Sequence, residues 1–351
     1  MEAGTALMSG VVTPAPAAPR ARLEWLDFYR GLAVLVMIET HVANTFLATE
    51  NWPAEWRVNL NYVNGLVAPA FLFIAGYAHG LGLRRKRAVR AHIRPRLARL
   101  AGIAAIGYAM HFPVTELMAG HWAEAWRVGS RMDVLACLAV AIAALVLVER
   151  ACGSWVKAGV AAALVAVVLV APRAVEWTAG PGALVAVLNQ STGSLFPLLP
   201  WAAFVFAGFL VAEQVPSFRG FLPRVAIAAA AVFLLGRSNL TPVSTAFFFE
   251  RLAWILALVP VCGWLSARWS PSLVLFAGQE SFWLYIVHLA LIEMIARLVV
   301  PRVGLPAAAG LLAIVLAASL AAAFGWRTFT VARADRARRA AHLPGSSAPA
   351  A

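Results

Sequence analysis

Long apolar runs separated by short polar or basic segments fill most of the chain. About 20 apolar residues in an α-helix are enough to cross the hydrocarbon core of a bilayer. The pattern therefore predicts about ten membrane-spanning helices, at residues 26–47, 63–83, 97–117, 132–149, 155–172, 195–213, 222–236, 248–266, 280–300 and 305–327. The predicted fold class is all-α: a polytopic bundle of transmembrane helices in one integral domain.

The composition also indicates a membrane protein whose main partner is the lipid bilayer. Hydrophobic residues make up 62% of the 351 residues and charged residues 13%, whereas a soluble domain has about 25% charged residues. The net charge of +13 would suit a nucleic-acid-binding protein, but the basic residues cluster at the ends of apolar runs, where membrane topology explains them. We therefore expect no nucleic-acid partner. The three cysteines are far apart, so the sequence predicts neither a disulfide framework nor a CxxC metal site.

The distribution of Lys and Arg predicts the orientation of the bundle. The loop at residues 84–99 holds eight of them, and the positive-inside rule places such a loop in the cytoplasm. An even number of spans then puts both termini in the cytoplasm. Residues 1–22 are expected to be a disordered cytoplasmic segment, residues 23–328 to form the transmembrane domain, and residues 329–351 to be a basic, disordered cytoplasmic tail.

Two ionisable residues share one face of the first predicted span, in the stretch RGLAVLVMIETH at residues 30–41. Arg30 and His41 are 11 residues apart, which in an α-helix is three turns plus about 20°, or roughly 16 Å along the axis. His41 lies deep in the span, where ionisable groups usually line a cavity or reaction path, although a hydrogen-bonded core histidine is the alternative. For Arg30 the alternative is a snorkelling interfacial side chain that pairs with Asp27.

A series of motifs resembles the transmembrane acyltransferases, a superfamily that includes type-three acyltransferases, the heparan-alpha-glucosaminide N-acetyltransferase group and periplasmic-glucan succinyltransferases. RLEWLDFYRGLAVLVMIETH resembles their first span, and Arg30 to His41 has the spacing of the type-three signature. FLFIAGYAHGLGLRR resembles the second span, and Arg96 with Arg99 fits the RxxR element that opens the third. DVLACLA, FPLLPWAAFVFAGFL and GQESFWLYIVHLALI resemble later spans of bacterial members. The resemblance covers residues 22–327, with Ala75 where many type-three members have serine.

The resemblance implies transfer of an acyl group, usually acetyl from acetyl-CoA in the cytoplasm, to a hydroxyl or amine of a sugar or glycan reached from the other side. It also implies a bacterial inner (plasma) membrane as the location. Acyl-CoA carries phosphates at one end and its thioester at the other, and guanidinium groups bind phosphate well. We therefore expect Arg30, Arg96 and Arg99 to bind the co-substrate. The alternative for the basic loop is a topology determinant attracted to anionic lipid.

The chemistry of acyl transfer favours His41 as the catalytic residue. Attack on a thioester requires removal of a proton from the acceptor, and a histidine that titrates near neutrality suits that task as general base. Transient acylation of His41 is the other possible role. Asp133 is a candidate partner of His41 or of the acceptor, and its alternative is an N-cap of the fourth span.

The ninth span contributes a second polar stripe. Ser281, Tyr285 and His288 lie on one helical face, and His288 is near the middle of the predicted span. His288 is a third candidate catalytic residue, in a second wall of the reaction cavity. The alternative for the whole stripe is hydrogen bonding between packed helices.

Two other classes of protein are consistent with part of the pattern. A secondary transporter or a lipid or glycan flippase would also have many spans with buried charges, but it should show paired halves with interrupted helices, which this sequence lacks. A structural membrane protein would not need an arginine and a histidine aligned along one buried face. The enzyme is therefore the preferred interpretation.

Overall fold

The computed structural model describes residues 23–50, 52–86, 93–174, 177, 182–191, 193–214, 244–298 and 302–341. The described residues are almost entirely helical, which confirms the all-α class. An isolated parallel bridge joins Leu47 to Val303. The predicted span at 222–236 and the predicted N-terminal segment 1–22 lie outside the described residues.

Fourteen α-helices are described, and a single 3-10 turn, Gly153–Trp155, lies between α7 and α8. In chain order they are α1 Glu24–Phe46, α2 Ala54–Asn64, α3 Val67–Lys86, α4 Ile93–Met110, α5 Val114–Met118, α6 Trp122–Gly129, α7 Val134–Cys152, α8 Val156–Ala174, α9 Gly182–Leu188, α10 Leu198–Gln214, α11 Thr245–Arg268, α12 Ser272–Gln279, α13 Ser281–Ala296 and α14 Leu305–Ala341.

Four helical segments among the described residues are long and apolar enough to cross a membrane, or five if the bent pair α12 and α13 counts as one. They are Ala54–Gly82, Val134–Ala174, Thr245–Arg268 and Leu305–Arg336. The second of these contains α7 and α8, which meet at Gly153. α1 and α4 are not among the four, because ionisable side chains such as Arg30, His41 and Arg96 lower their hydropathy. The count of ten spans stays a prediction.

The last helix continues past the predicted end of the transmembrane domain at residue 328. Residues 329–341 are helical, whereas the sequence predicts a disordered tail there. Alanine and arginine dominate this segment, and both have high helix propensity. The helix that begins at Leu305 therefore continues without a break to Ala341.

Glycines let the first helix approach the segment that precedes α13. A Cβ atom on Gly31 would lie 2.0 Å from the carbonyl oxygen of Val274, and one on Gly278 would lie 1.8 Å from the carbonyl oxygen of Asp27. Neither position has room for a side chain, so α1 and α12 are in backbone contact. α13 then leaves α12 at an angle of 85°. This bend carries α13 alongside the rest of α1.

α1 and α13 run in the same direction, because Arg30 contacts Ser281 and His41 contacts His288. We call the end of the bundle where α1 begins the lower end and the end where α1 stops the upper end. Asp133, at the start of α7, lies beside Gly107 near the end of α4, while Glu149, near the end of α7, lies beside Arg96 near the start of α4. α4 and α7 are thus antiparallel neighbours.

Candidate functional site

Two histidines from helices at opposite ends of the sequence form the centre of the candidate site. His41 Nδ1 lies 2.9 Å from His288 Nε2, and the two rings are stacked with centroids 5.1 Å apart. His288 is fully buried, whereas His41 is only partly buried. The structure thus brings two of the three predicted catalytic residues into direct contact.

A backbone carbonyl fixes which nitrogen of each ring carries the proton. His288 Nδ1 lies 2.6 Å from the carbonyl oxygen of Leu284, which can only accept a hydrogen bond, so Nδ1 of His288 is the protonated nitrogen. In the neutral ring Nε2 of His288 is then an acceptor, and Nδ1 of His41 must donate to it. The remaining nitrogen of neutral His41, Nε2, therefore has a lone pair. Nε2 has no hydrogen-bond partner among the described residues.

The third predicted catalytic residue, Asp133, is close to this pair but does not hydrogen-bond to it. Its Oδ1 accepts a hydrogen bond of 2.7 Å from the backbone N–H of Ala136, which makes Asp133 the N-cap of α7. Its Oδ2 accepts a hydrogen bond of 3.2 Å from the hydroxyl of Tyr285. The Tyr285 ring lies edge-on to His288, with centroids 5.8 Å apart. Asp133 therefore caps the start of α7 and, through Tyr285, contacts the wall beside His288.

Arg30 lies at the lower end of the same two helices. Its Nη2 donates a hydrogen bond of 2.8 Å to the hydroxyl of Ser281 on α13. Arg30 also lines a cavity of about 290 Å³ together with Asp27, and the other wall of this cavity is formed by α3 and by Gln279. The predicted face of α1 therefore joins the cavity lined by Arg30 and Asp27 at the lower end to the histidine pair nearer the upper end.

The other two predicted co-substrate ligands lie elsewhere at the lower end. Arg96 is half-buried, and its Nη2 lies 3.5 Å from Oε2 of Glu149, whose Oε1 lies 2.6 Å from His79 Nε2. Arg99 is exposed. Neither arginine lines the cavity beside Arg30. Residues 87–92 of the predicted basic loop lie outside the described residues.

Sequence reasoning missed the cluster of His79 and Glu149. A histidine near the lower end of α3 and a glutamate near the end of α7 are visible in the sequence as ionisable groups at the ends of apolar runs. Nothing in the sequence pairs them, because they are 70 residues apart. The contact depends on α3 and α7 packing side by side.

No group of three or more His, Cys, Asp or Glu side chains that could hold a metal ion occurs within the described ranges.

Comparison with known families decides the class of the protein. Residues 22–242 match the family described as heparan-alpha-glucosaminide N-acetyltransferase, catalytic. The match covers more than half of the 351 residues. The chain belongs to this family. It is therefore an acetyltransferase-type membrane enzyme, and the matched region includes Arg30, His41 and Asp133. A comparison with curated proteins finds no match to the chain.

Proposed function

We propose that this enzyme moves an acyl group, normally acetyl, from acyl-CoA to a hydroxyl or amine of a sugar or glycan acceptor. The co-substrate binds at the lower end of the bundle, which faces the cytoplasm, and the acceptor approaches from the upper end. The enzyme lies in the bacterial inner membrane with both termini in the cytoplasm. Membership of an acetyltransferase family favours this reaction over transport.

The observation that carries the proposal is the hydrogen-bond chain from the Leu284 carbonyl through His288 to His41. These two hydrogen bonds fix the tautomers of both rings, so that the lone pair of His41 lies on Nε2. This atom has no hydrogen-bond partner among the described residues. A general base needs a lone pair of this kind within hydrogen-bond reach of the acceptor. When Nε2 takes a proton, the positive charge on His41 is shared through Nδ1–H with His288. His288 is therefore a positioning residue.

The transfer step balances without any other proton carrier. The acceptor's O–H or N–H proton moves to His41 Nε2 while its oxygen or nitrogen bonds to the thioester carbonyl carbon. The carbon–sulfur bond then breaks, and His41 returns the proton to the sulfur of CoA. His41 ends neutral and ready for the next cycle, as a general acid and base must.

Arg30 is the best-placed cation for the co-substrate. It lines the lower cavity and lies three turns below His41 on the same face of α1, roughly 16 Å along the axis. A guanidinium group binds phosphate through parallel hydrogen bonds, and the thin arm of CoA can extend from such a site towards His41. Arg96 and Arg99 add positive charge at the same end of the bundle. We expect them to raise co-substrate affinity as a pair and not to contact the thioester.

The decisive experiment replaces His41 with alanine in the full chain reconstituted into lipid vesicles. Transfer of radiolabelled acetyl from acetyl-CoA to amino sugars and neutral sugars is then measured beside CoA binding. We expect the transfer rate to fall by about 10²–10⁴, the contribution of a positioned acid or base, while CoA binding stays near that of the native chain. Near-native transfer by a folded His41→Ala protein would show that His41 is structural.

A trapping experiment separates direct transfer from transient acylation of His41. The native enzyme is incubated with radiolabelled acetyl-CoA alone and quenched. An acyl-histidine would leave label on the protein that hydroxylamine removes and that the His41→Ala variant lacks. Direct transfer leaves no such label.

A further inference from the structure

A second cavity lies at the upper end of the bundle, and the mechanism above does not assign it a ligand. It has a volume of about 400 Å³ and lies between the end of α1, one face of α2 and the segment before α14. Its polar lining consists of Asn44, Thr49, Arg57, Asn61 and Arg302. A cavity of this size is in the range of small-molecule sites.

The cavity is close to the catalytic histidine. Asn44 lies three residues after His41 on α1, which is about 4.5 Å further along the axis and about 60° around it. A molecule seated against Asn44 is therefore within one helical turn of His41. The upper cavity and the lower cavity beside Arg30 lie on opposite sides of the histidine pair.

The polar lining of the upper cavity suits a sugar. The amides of Asn44 and Asn61 and the hydroxyl of Thr49 each offer hydrogen-bond donors and acceptors, as sugar hydroxyls do. These groups lie beside small and aliphatic side chains such as Ala43 and Leu47, which can cover the apolar parts of a ring.

The charges in this cavity are unbalanced. Arg302 donates a hydrogen bond of 3.1 Å to the carboxylate of Glu50, which neutralises it. The pKa of Glu50 lies below its usual value, because its carboxylate accepts hydrogen bonds from its own backbone N–H and from Arg302, and Arg57 adds a favourable charge. Glu50 is therefore ionised at neutral pH. Arg57 lines the cavity and forms no ion pair within the part of the chain described here.

We infer that the upper cavity is the acceptor site and that Arg57 binds an anionic group on the acceptor sugar, so that the enzyme prefers an acidic sugar to a neutral one. This inference rests on the proposed function for the identity of the ligand as acceptor. Arg302 is a second potential ligand for an anion, but its ion pair with Glu50 competes with such binding.

Binding of two sugars that differ by one group tests the inference without requiring transfer. The full chain is reconstituted in nanodiscs of phosphatidylcholine, and affinities for glucose and glucuronate are measured by isothermal titration calorimetry. The native protein should bind glucuronate about five to ten times more tightly than glucose, the effect of a charge-assisted hydrogen bond reduced by solvent exposure. Arg57→Gln should remove this preference while glucose binding is retained.

Two further variants sharpen the comparison. Glu50→Gln frees Arg302 and should increase the preference for glucuronate. Arg297→Gln is the matched control, because Arg297 is an arginine at the same end that pairs with Glu293 at 2.9 Å and does not line the cavity. It should leave both affinities unchanged.

Equal binding of the two sugars by the native protein, or a preference that survives Arg57→Gln, would overturn the inference. So would loss of glucuronate binding in nanodiscs that contain phosphatidylglycerol, since Arg57 would then bind a lipid headgroup. If the native protein prefers glucuronate to glucose but transfers no acetyl group to any sugar, the result would instead count against the proposed function. If the native protein transfers acetyl groups but binds glucuronate and glucose equally, the result would count against this inference alone.

Discussion

Replacement of His288 gives the sharpest test of how the histidine pair works. His288 is fully buried and accepts the hydrogen bond from His41 Nδ1 at 2.9 Å. In His288→Phe a ring of similar size fills the space but accepts no hydrogen bond. His41 can then adopt the other tautomer or turn, and the charge that it gains during transfer loses its partner.

The expected magnitude follows from that one hydrogen bond. A hydrogen bond to a charged group contributes about 1.5–3 kcal/mol, and 1.36 kcal/mol is tenfold in rate. Transfer by His288→Phe should therefore be about 10- to 150-fold slower than by the native protein. The loss should be smaller than that of His41→Ala, because Nε2 of His41 is still present.

His288→Gln is the matched variant, because its amide oxygen can accept the hydrogen bond from His41. It should recover a large part of the rate that His288→Phe loses. The assay is acetyl transfer in lipid vesicles at saturating acetyl-CoA, with the pH dependence of the rate recorded for each variant. CoA binding and thermal unfolding provide the controls for folding. A His288→Phe protein that is folded and transfers at the native rate would refute the tautomer argument.

Three other predictions follow from the lower end of the bundle and from α4. Arg30→Gln should weaken CoA binding by about 1.5–3 kcal/mol, whereas Arg297→Gln at the opposite end should not change it; equal effects would reject the lower cavity as the co-substrate site. A cysteine at Ala88, introduced after removal of the native cysteines, should react with an impermeant thiol reagent only in permeabilised cells; labelling of intact cells would reverse the proposed orientation. Gly107→Ala should destabilise the fold by about 1–3 kcal/mol in a thermal unfolding assay, because its Cβ would lie 2.4 Å from the Asp133 carboxylate. Gly102→Ala on the same helix meets no atom within 4 Å and should cost nothing.

The sequence by itself determined the environment of the protein and the faces of its polar helices. Composition and apolar runs indicated a membrane protein, and the motifs indicated the acyltransferase family that the residue 22–242 match then showed. Helical periodicity placed Arg30 and His41 on one face of α1, and Tyr285 and His288 on one face of α13. These predictions succeed because α-helical geometry is local and repeats every 3.6 residues.

The tertiary structure alone decided which of these faces meet. His41 and His288 are 247 residues apart, and their hydrogen bond depends on the close approach of α1 to α12 and on the bend before α13. Packing likewise placed Asp133 against Tyr285 and Arg96 against Glu149. Helical periodicity specifies the direction of a side chain around its own axis and its depth in the membrane, but the neighbouring helix is chosen by shape complementarity over the whole bundle.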